Sequence, residues 1–222
     1  MSALWPRASP PEEEPDPLLK IVERPGSRRD VHYLRDGQWV NLTRFTGPHV
    51  IFHCRTSPDG RWAYVWHHKE YPPRRLSVYD LTTLQRTAHF VPGFGGVMQW
   101  TPAETILHCW ANGPNLRAYR VYDPTGKIIL EDVVSGLDVS PDGRYLVTFP
   151  SLFLVSMGPL EIRDLKDLRV VYSSRGNADV RCAWDLAWPG SDRLRVTYWD
   201  SDEKEHARTI ELSGTSRGGK PG

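Results

Sequence analysis

Ser57-Pro58-Asp59-Gly60-Arg61-Trp62-Ala63-Tyr64-Val65 is answered further along the chain by Ser140-Pro141-Asp142-Gly143-Arg144-Tyr145-Leu146-Val147. Proline in the second place and glycine in the fourth are what a type I turn prefers. Each motif therefore predicts a tight turn between two strands. The second strand opens on an arginine and an aromatic residue and continues as an apolar run.

A second anchor follows each turn. From Gly60 to Asp80 is 20 residues, and from Gly143 to Asp164 is 21. The stretches that end there are Leu76-Ser77-Val78-Tyr79-Asp80-Leu81 and Leu160-Glu161-Ile162-Arg163-Asp164-Leu165. Both alternate apolar and polar residues, the period of a half-buried strand. The aspartate starts a turn, and a further strand is expected at 87–91 and at 169–172. Weaker copies stand between and after these two units. Thr101-Pro102 with Asp123-Pro124-Thr125-Gly126 marks one, and Trp188-Pro189-Gly190 the other. The prolines at 58, 102, 141 and 189 are 44, 39 and 48 residues apart.

A spacing of about forty with four short strands per unit is the period of a propeller blade. No unit carries a long apolar pattern at helical spacing. The predicted fold is all-β, a β-propeller-like array of four to five four-stranded blades, incomplete or open. The repeats fall at about 49–92, 95–133, 134–174 and 177–213, with a part-blade at 16–48 inside one domain of 16–213. Within the part-blade, 31–45 reads as a hairpin around Asp36-Gly37. The strand at 18–23 is expected to complete the last blade and so remove a free sheet edge. Residues 1–15, rich in Pro and Glu, and 214–222 read as disordered tails.

The Ser-Pro-Asp-Gly turn, the aromatic after its arginine and the Val-Tyr-Asp or Ile-Arg-Asp strand resemble blades of bacterial WD-repeat and TolB-type propellers. The likeness covers about residues 49–214. The sequence lacks the Gly-His dipeptide and the Trp-Asp of standard WD repeats. The resemblance implies a fold, and propellers host many unrelated functions.

Composition narrows the functional classes. A net charge of +1 gives no bulk attraction to nucleic acid or to an anionic membrane. No apolar stretch is long enough to span a bilayer. The start of the chain carries acidic residues and prolines rather than a signal peptide, so a cytoplasmic location is expected. Three cysteines, Cys54, Cys109 and Cys182, read as free and mostly buried thiols.

No nucleophile elbow, Walker loop or zinc-protease motif is present. Gly93-Phe94-Gly95-Gly96 lies between strands, without the helix N-terminus a phosphate cradle uses. The adjacent pairs His53-Cys54 and His108-Cys109 point to opposite faces of a strand and do not share one ion. His67-His68 sits near a strand end with no partner evident from spacing. No cofactor or metal is expected.

Three functional readings remain. The first is a non-enzymatic interaction scaffold that binds a protein partner, or a second copy of itself, through loops on one face. The loop at 67–75 is polar, whereas its counterpart at 150–158 has become apolar. Apolar residues on a connecting loop mark a contact surface. The residues singled out are Leu152, Phe153, Leu154, Val155 and Met157, together with Tyr71, Arg74 and Arg75. The second reading is a glycosidase-type enzyme, in which Asp138 and Asp185 form a channel carboxylate pair. The third is a carbohydrate-binding propeller.

Overall fold

A computed structural model describes residues 15–26, 28–69, 73–93, 95–113, 116–149, 159–175, 182–199 and 204–212. Among them there are strands and turns but no helix, so none is long and apolar enough to cross a membrane.

The strands form five sheets, each built of neighbours in sequence. The first sheet holds β1 (Leu19–Arg24), β2 (Arg28–Arg35) and β3 (Gln38–Asn41). The second holds β4 (His49–Thr56), β5 (Trp62–Lys69), β6 (Arg75–Asp80) and β7 (Gln85–Phe90). The third comprises β8 (Val97–Trp100), β9 (Ile106–Ala111), β10 (Arg117–Tyr122) and β11 (Ile128–Val134). The fourth comprises β12 (Gly136–Val139), β13 (Tyr145–Phe149), β14 (Glu161–Asp164) and β15 (Val170–Ser173). The last comprises β16 (Cys182–Gly190), β17 (Arg193–Trp199) and β18 (Glu205–Glu211). Three four-stranded meanders flanked by two three-stranded sheets make a propeller-like array of blades.

The repeated motif builds the same turn twice, atom for atom. Gly60 N–H donates to Ser57 O (2.9 Å), and Gly143 N–H donates to Ser140 O (2.8 Å). Ser57 Oγ donates to Asp59 Oδ1 and accepts from Trp62 N–H; Ser140 Oγ treats Asp142 and Tyr145 alike. The glycines stand at φ of 72° and 71°, where a side chain is strained. The aspartate anchors also behave alike. Asp80 accepts from Thr82 N–H and Thr82 Oγ1, Asp123 from Thr125 N–H and Oγ1, and Asp164 from Lys166 N–H.

Three apolar cores lie between sheets. On β5, Ala63 and Val65 face one way, with Leu19, Val31, Ile51 and Tyr79. Tyr64 and Trp66 face the other, with Leu76, Val78, Met98 and Tyr122. That is why the motif reads as a continuous apolar run: the strand is buried on both faces. A third core joins the last two sheets through Tyr145, Val147, Ile162, Leu194 and Val196.

Two expectations are corrected. The strand at 18–23 does not complete the last blade. As β1 it pairs with β2, with Leu19 opposite Tyr33 and Ile21 opposite Val31. Leu19 is buried in the first core, and Asp16 Oδ2 accepts from Thr56 N–H (2.6 Å) and Thr56 Oγ1 (2.9 Å), fastening this segment to the end of β4. Trp188-Pro189-Gly190 does not form the turn of its unit. It extends β16 past a register shift between Ala187 and Gly190, and the turn follows at 191–192.

The chain divides into two compact units. One holds the first two sheets with part of the third, and the other holds the remainder.

Candidate functional site

The loop after β3 is fixed by one buried carboxylate. Asp30 Oδ1 accepts from Thr43 Oγ1 (3.0 Å) and Phe45 N–H (2.8 Å), while Oδ2 accepts from Asn41 Nδ2 (3.0 Å) and pairs with Arg24 Nε (2.9 Å). Every lone pair of that carboxylate is thereby engaged, so its charge is spent on shaping the loop. Arg44 stands at a positive φ of 48°, with its N–H donating to Asn41 Oδ1 (3.0 Å). The loop thus presents Arg44 and Phe45 toward the second sheet.

The face they meet changes character along its strands. Val65 and Tyr79 are apolar core, but two residues on stand His67 and Ser77, and two further stand Lys69 and Arg75. Register brings these together, with His67 opposite Arg75 and Ser77 opposite His89. Phe45 stacks on His49 at 3.9 Å between centroids, and His67 lies 4.5 Å from Phe45, 5.3 Å from His49 and 5.8 Å from His89.

Hydrogen bonding sets the tautomers of this cluster. Arg75 Nη1 can only donate, so His89 Nε2 accepts (3.2 Å). His89 Nδ1 then carries the proton and donates to Ser77 Oγ (2.9 Å). Ser77 in turn donates to His67 Nε2 (2.9 Å), which leaves the proton of His67 on Nδ1. That buried Nδ1 has no partner. An unpaired buried donor costs about 1–3 kcal/mol, so the site is short of one acceptor. Burial, reinforced by His49, His89 and nearby arginines, pushes the pKa of His67 down to about 3. Burial first, then Arg86 and Arg75, also lowers that of His89.

These residues line a cavity of about 530 Å³. Arg44, Lys69, Arg75 and Arg86 contribute cations, and His49, His67 and His89 contribute imidazoles; among the described residues none that lines the cavity is acidic. A second cavity of about 430 Å³ shares Thr43, Arg44 and Arg86 and continues past Thr83 and Gln85, so the two form one groove. The three imidazoles are poorly placed to hold a metal. His49 Nδ1 donates to Gly47 O, two other ring nitrogens are taken by Ser77, and the flanking charges are positive. The chemistry suits an anion.

No family model and no curated protein matches this sequence. Among solved structures, a prolyl endopeptidase chain is similar over 89% of this chain and 35% of its own, at 16% identity and a TM-score of 0.47. A chain of the mitotic checkpoint complex is similar over 96% and 74%, at 13% identity and 0.42. TolB from Acinetobacter baumannii is similar over 88% and 50%, at 13% identity and 0.41. The chain thus spans 35% of the endopeptidase chain's length and 50% of TolB's. At this distance none of their activities transfers to it.

The residues singled out from sequence fall in several places. Leu152, Phe153, Leu154, Val155, Met157 and Tyr71 lie outside the described residues. Arg74 lies over the rings of Phe52 (4.3 Å) and Trp66 (5.3 Å). Arg75 lines the basic cavity. Asp138 accepts from Trp188 Nε1 (3.1 Å) and Val139 N–H (2.8 Å), and burial raises its pKa. Asp185 is exposed on β16, opposite Thr197. His67, read as a strand-end residue without a partner, is instead the buried centre of the cluster. Arg44, His49, Arg86 and His89 were not legible as a site. The available signal was the run of His, Lys, Ser and Arg on one strand face with no acid among them.

Proposed function

We infer that this chain is a non-enzymatic interaction module whose binding surface is the basic groove, and that its partner presents an acidic protein segment. The observation that carries the reading is an inner cavity to which the described residues bring four cations, three imidazoles and no acid. Such a wall repels a basic ligand and attracts an acidic one. Its floor is built on paired strands, which hold the charges in fixed positions. The apolar segment at 152–157 is our candidate for a second contact, with a protein partner or another copy of the chain. Light scattering on wild type and Leu154→Asp tests that contact: loss of a dimer supports self-association, and equal masses oppose it.

Fluorescence anisotropy tests the groove. A glutamate-rich peptide should bind, a lysine-rich one should not, and affinity should fall steeply between about 50 and about 300 mM salt. Arg86→Glu should abolish binding. Equal binding of both peptides, or no effect of Arg86→Glu, contradicts the reading.

A further inference from the structure

We propose that the inner end of this groove is a phosphate-monoester site, filled by a phosphorylated side chain of the partner protein. The inference rests on the reading of the groove as the binding surface and adds the chemical class of its key ligand. A carboxylate would leave much of the charge here unanswered. Two arginines, Arg75 and Arg86, and Lys69 line one cavity to which the described residues bring no acid. A phosphate monoester brings close to two negative charges and three acceptor oxygens at neutral pH. Guanidinium groups match those oxygens with paired, charge-assisted hydrogen bonds.

The relay from Arg75 through His89 and Ser77 supplies an independent argument. It hands His67 an Nδ1–H donor that is buried and unpartnered on a residue lining the same cavity. An oxyanion can accept from this donor once the ring turns toward the cavity, because Nδ1 is closed to solvent in the free chain. The cavity, at about 530 Å³, is larger than phosphate alone requires and has room for the side chain that carries it. Asp30, the β2 acid that anchors the loop, is paired with Arg24 and engaged by its loop bonds, so its charge is not directed at the cavity.

Calorimetry on the full chain decides the matter with three probes: an alanine-based peptide carrying one phosphoserine, the same peptide with glutamate there, and inorganic phosphate. The phosphoserine peptide should bind about tenfold or more tightly than the glutamate peptide, as doubly charged, multidentate pairing predicts. Arg86→Glu should erase that preference, and Arg208→Glu, an equal charge change on the exposed face of β18, should not. Both side chains are exposed, so both variants should fold, which thermal melting checks. In the nitrogen spectrum, the Nδ1–H of His67 should shift on saturation with the phosphopeptide. Equal affinity for the two peptides overturns the phosphate site while leaving the acidic groove intact. Binding of inorganic phosphate alone overturns the peptide-borne ligand. No binding of any probe defeats both readings.

Discussion

His67 shows how a single side chain ties stability to pH. Its imidazole takes a proton near pH 6.5 when unfolded, but in the fold only near pH 3. Between those values the unfolded chain binds more protons, so stability falls as pH drops through the window and is unaffected by this group above it. Among the described residues, the groups facing it are His49, His89, Arg75 and Arg86, with Arg44 and Lys69 across the cavity, and none of these is negative. From pH 7 to about 4.5 this group should remove about 2.5 kcal/mol, read as a lower urea midpoint. His67→Gln should flatten that dependence; an unchanged slope contradicts the assignment. The thiols give a second residue-scale prediction. Burial, aided by Asp16, pushes the Cys54 thiol up to about 11, and burial, aided by Asp138, pushes Cys109 up to about 12. Both should resist alkylation at pH 8 in the folded chain and react on unfolding, as mass spectrometry can follow. Rapid native labelling of Cys109 would contradict its burial. Of this site, the sequence showed Arg75 and a run of His, Lys, Ser and Arg, but not the cluster they form. His67, Ser77 and His89 are ten and twelve residues apart along the chain, and only cross-strand register makes them neighbours.

At the scale of the element, the repeated turns carry the fold, and they were legible because their bonds are local. Ser57 reaches Asp59 and Trp62, and Asp80 reaches Thr82 and Thr83, all within five residues. Such contacts leave their mark on the sequence as fixed residue types at fixed offsets. Asp80→Ala should cost about 1–2 kcal/mol in urea unfolding, because two backbone donors and a hydroxyl lose their acceptor. The glycines separate backbone strain from crowding. A methyl at Gly60 meets nothing within 4 Å, so Gly60→Ala should cost about 1–2 kcal/mol, from its positive φ alone. A methyl at Gly126 would stand 2.9 Å from the Phe90 ring, which packs on Tyr122 at 4.7 Å. Gly126→Ala should therefore cost more than Gly60→Ala, and equal losses would show that the ring moves aside freely. The last unit was misread at Trp188-Pro189-Gly190 for a related reason. A Pro-Gly pair signals a turn, but here Trp188 is held by its bond to Asp138, and β16 continues with a register shift instead of turning.

On the scale of the whole molecule, the proposed binding surface lies where the first and second sheets meet. The face of the second sheet that packs on the first begins as core around Val65 and Tyr79 and ends as a basic cavity around His67 and Arg75. The net charge of +1 conceals this, because acids elsewhere in the chain cancel the groove's cations. A balanced composition therefore argued against bulk attraction to polyanions without bearing on a local anion site. On the proposed reading, this groove is where the partner binds. Amide hydrogen exchange on the full chain, with and without a saturating glutamate-rich peptide carrying one phosphoserine, tests it most directly. Binding there slows exchange at 43–49, 67–69 and 85–89 and leaves the rest of the chain unchanged. Protection confined to 150–158, or to the exposed strand β11, would place the binding surface elsewhere and contradict it.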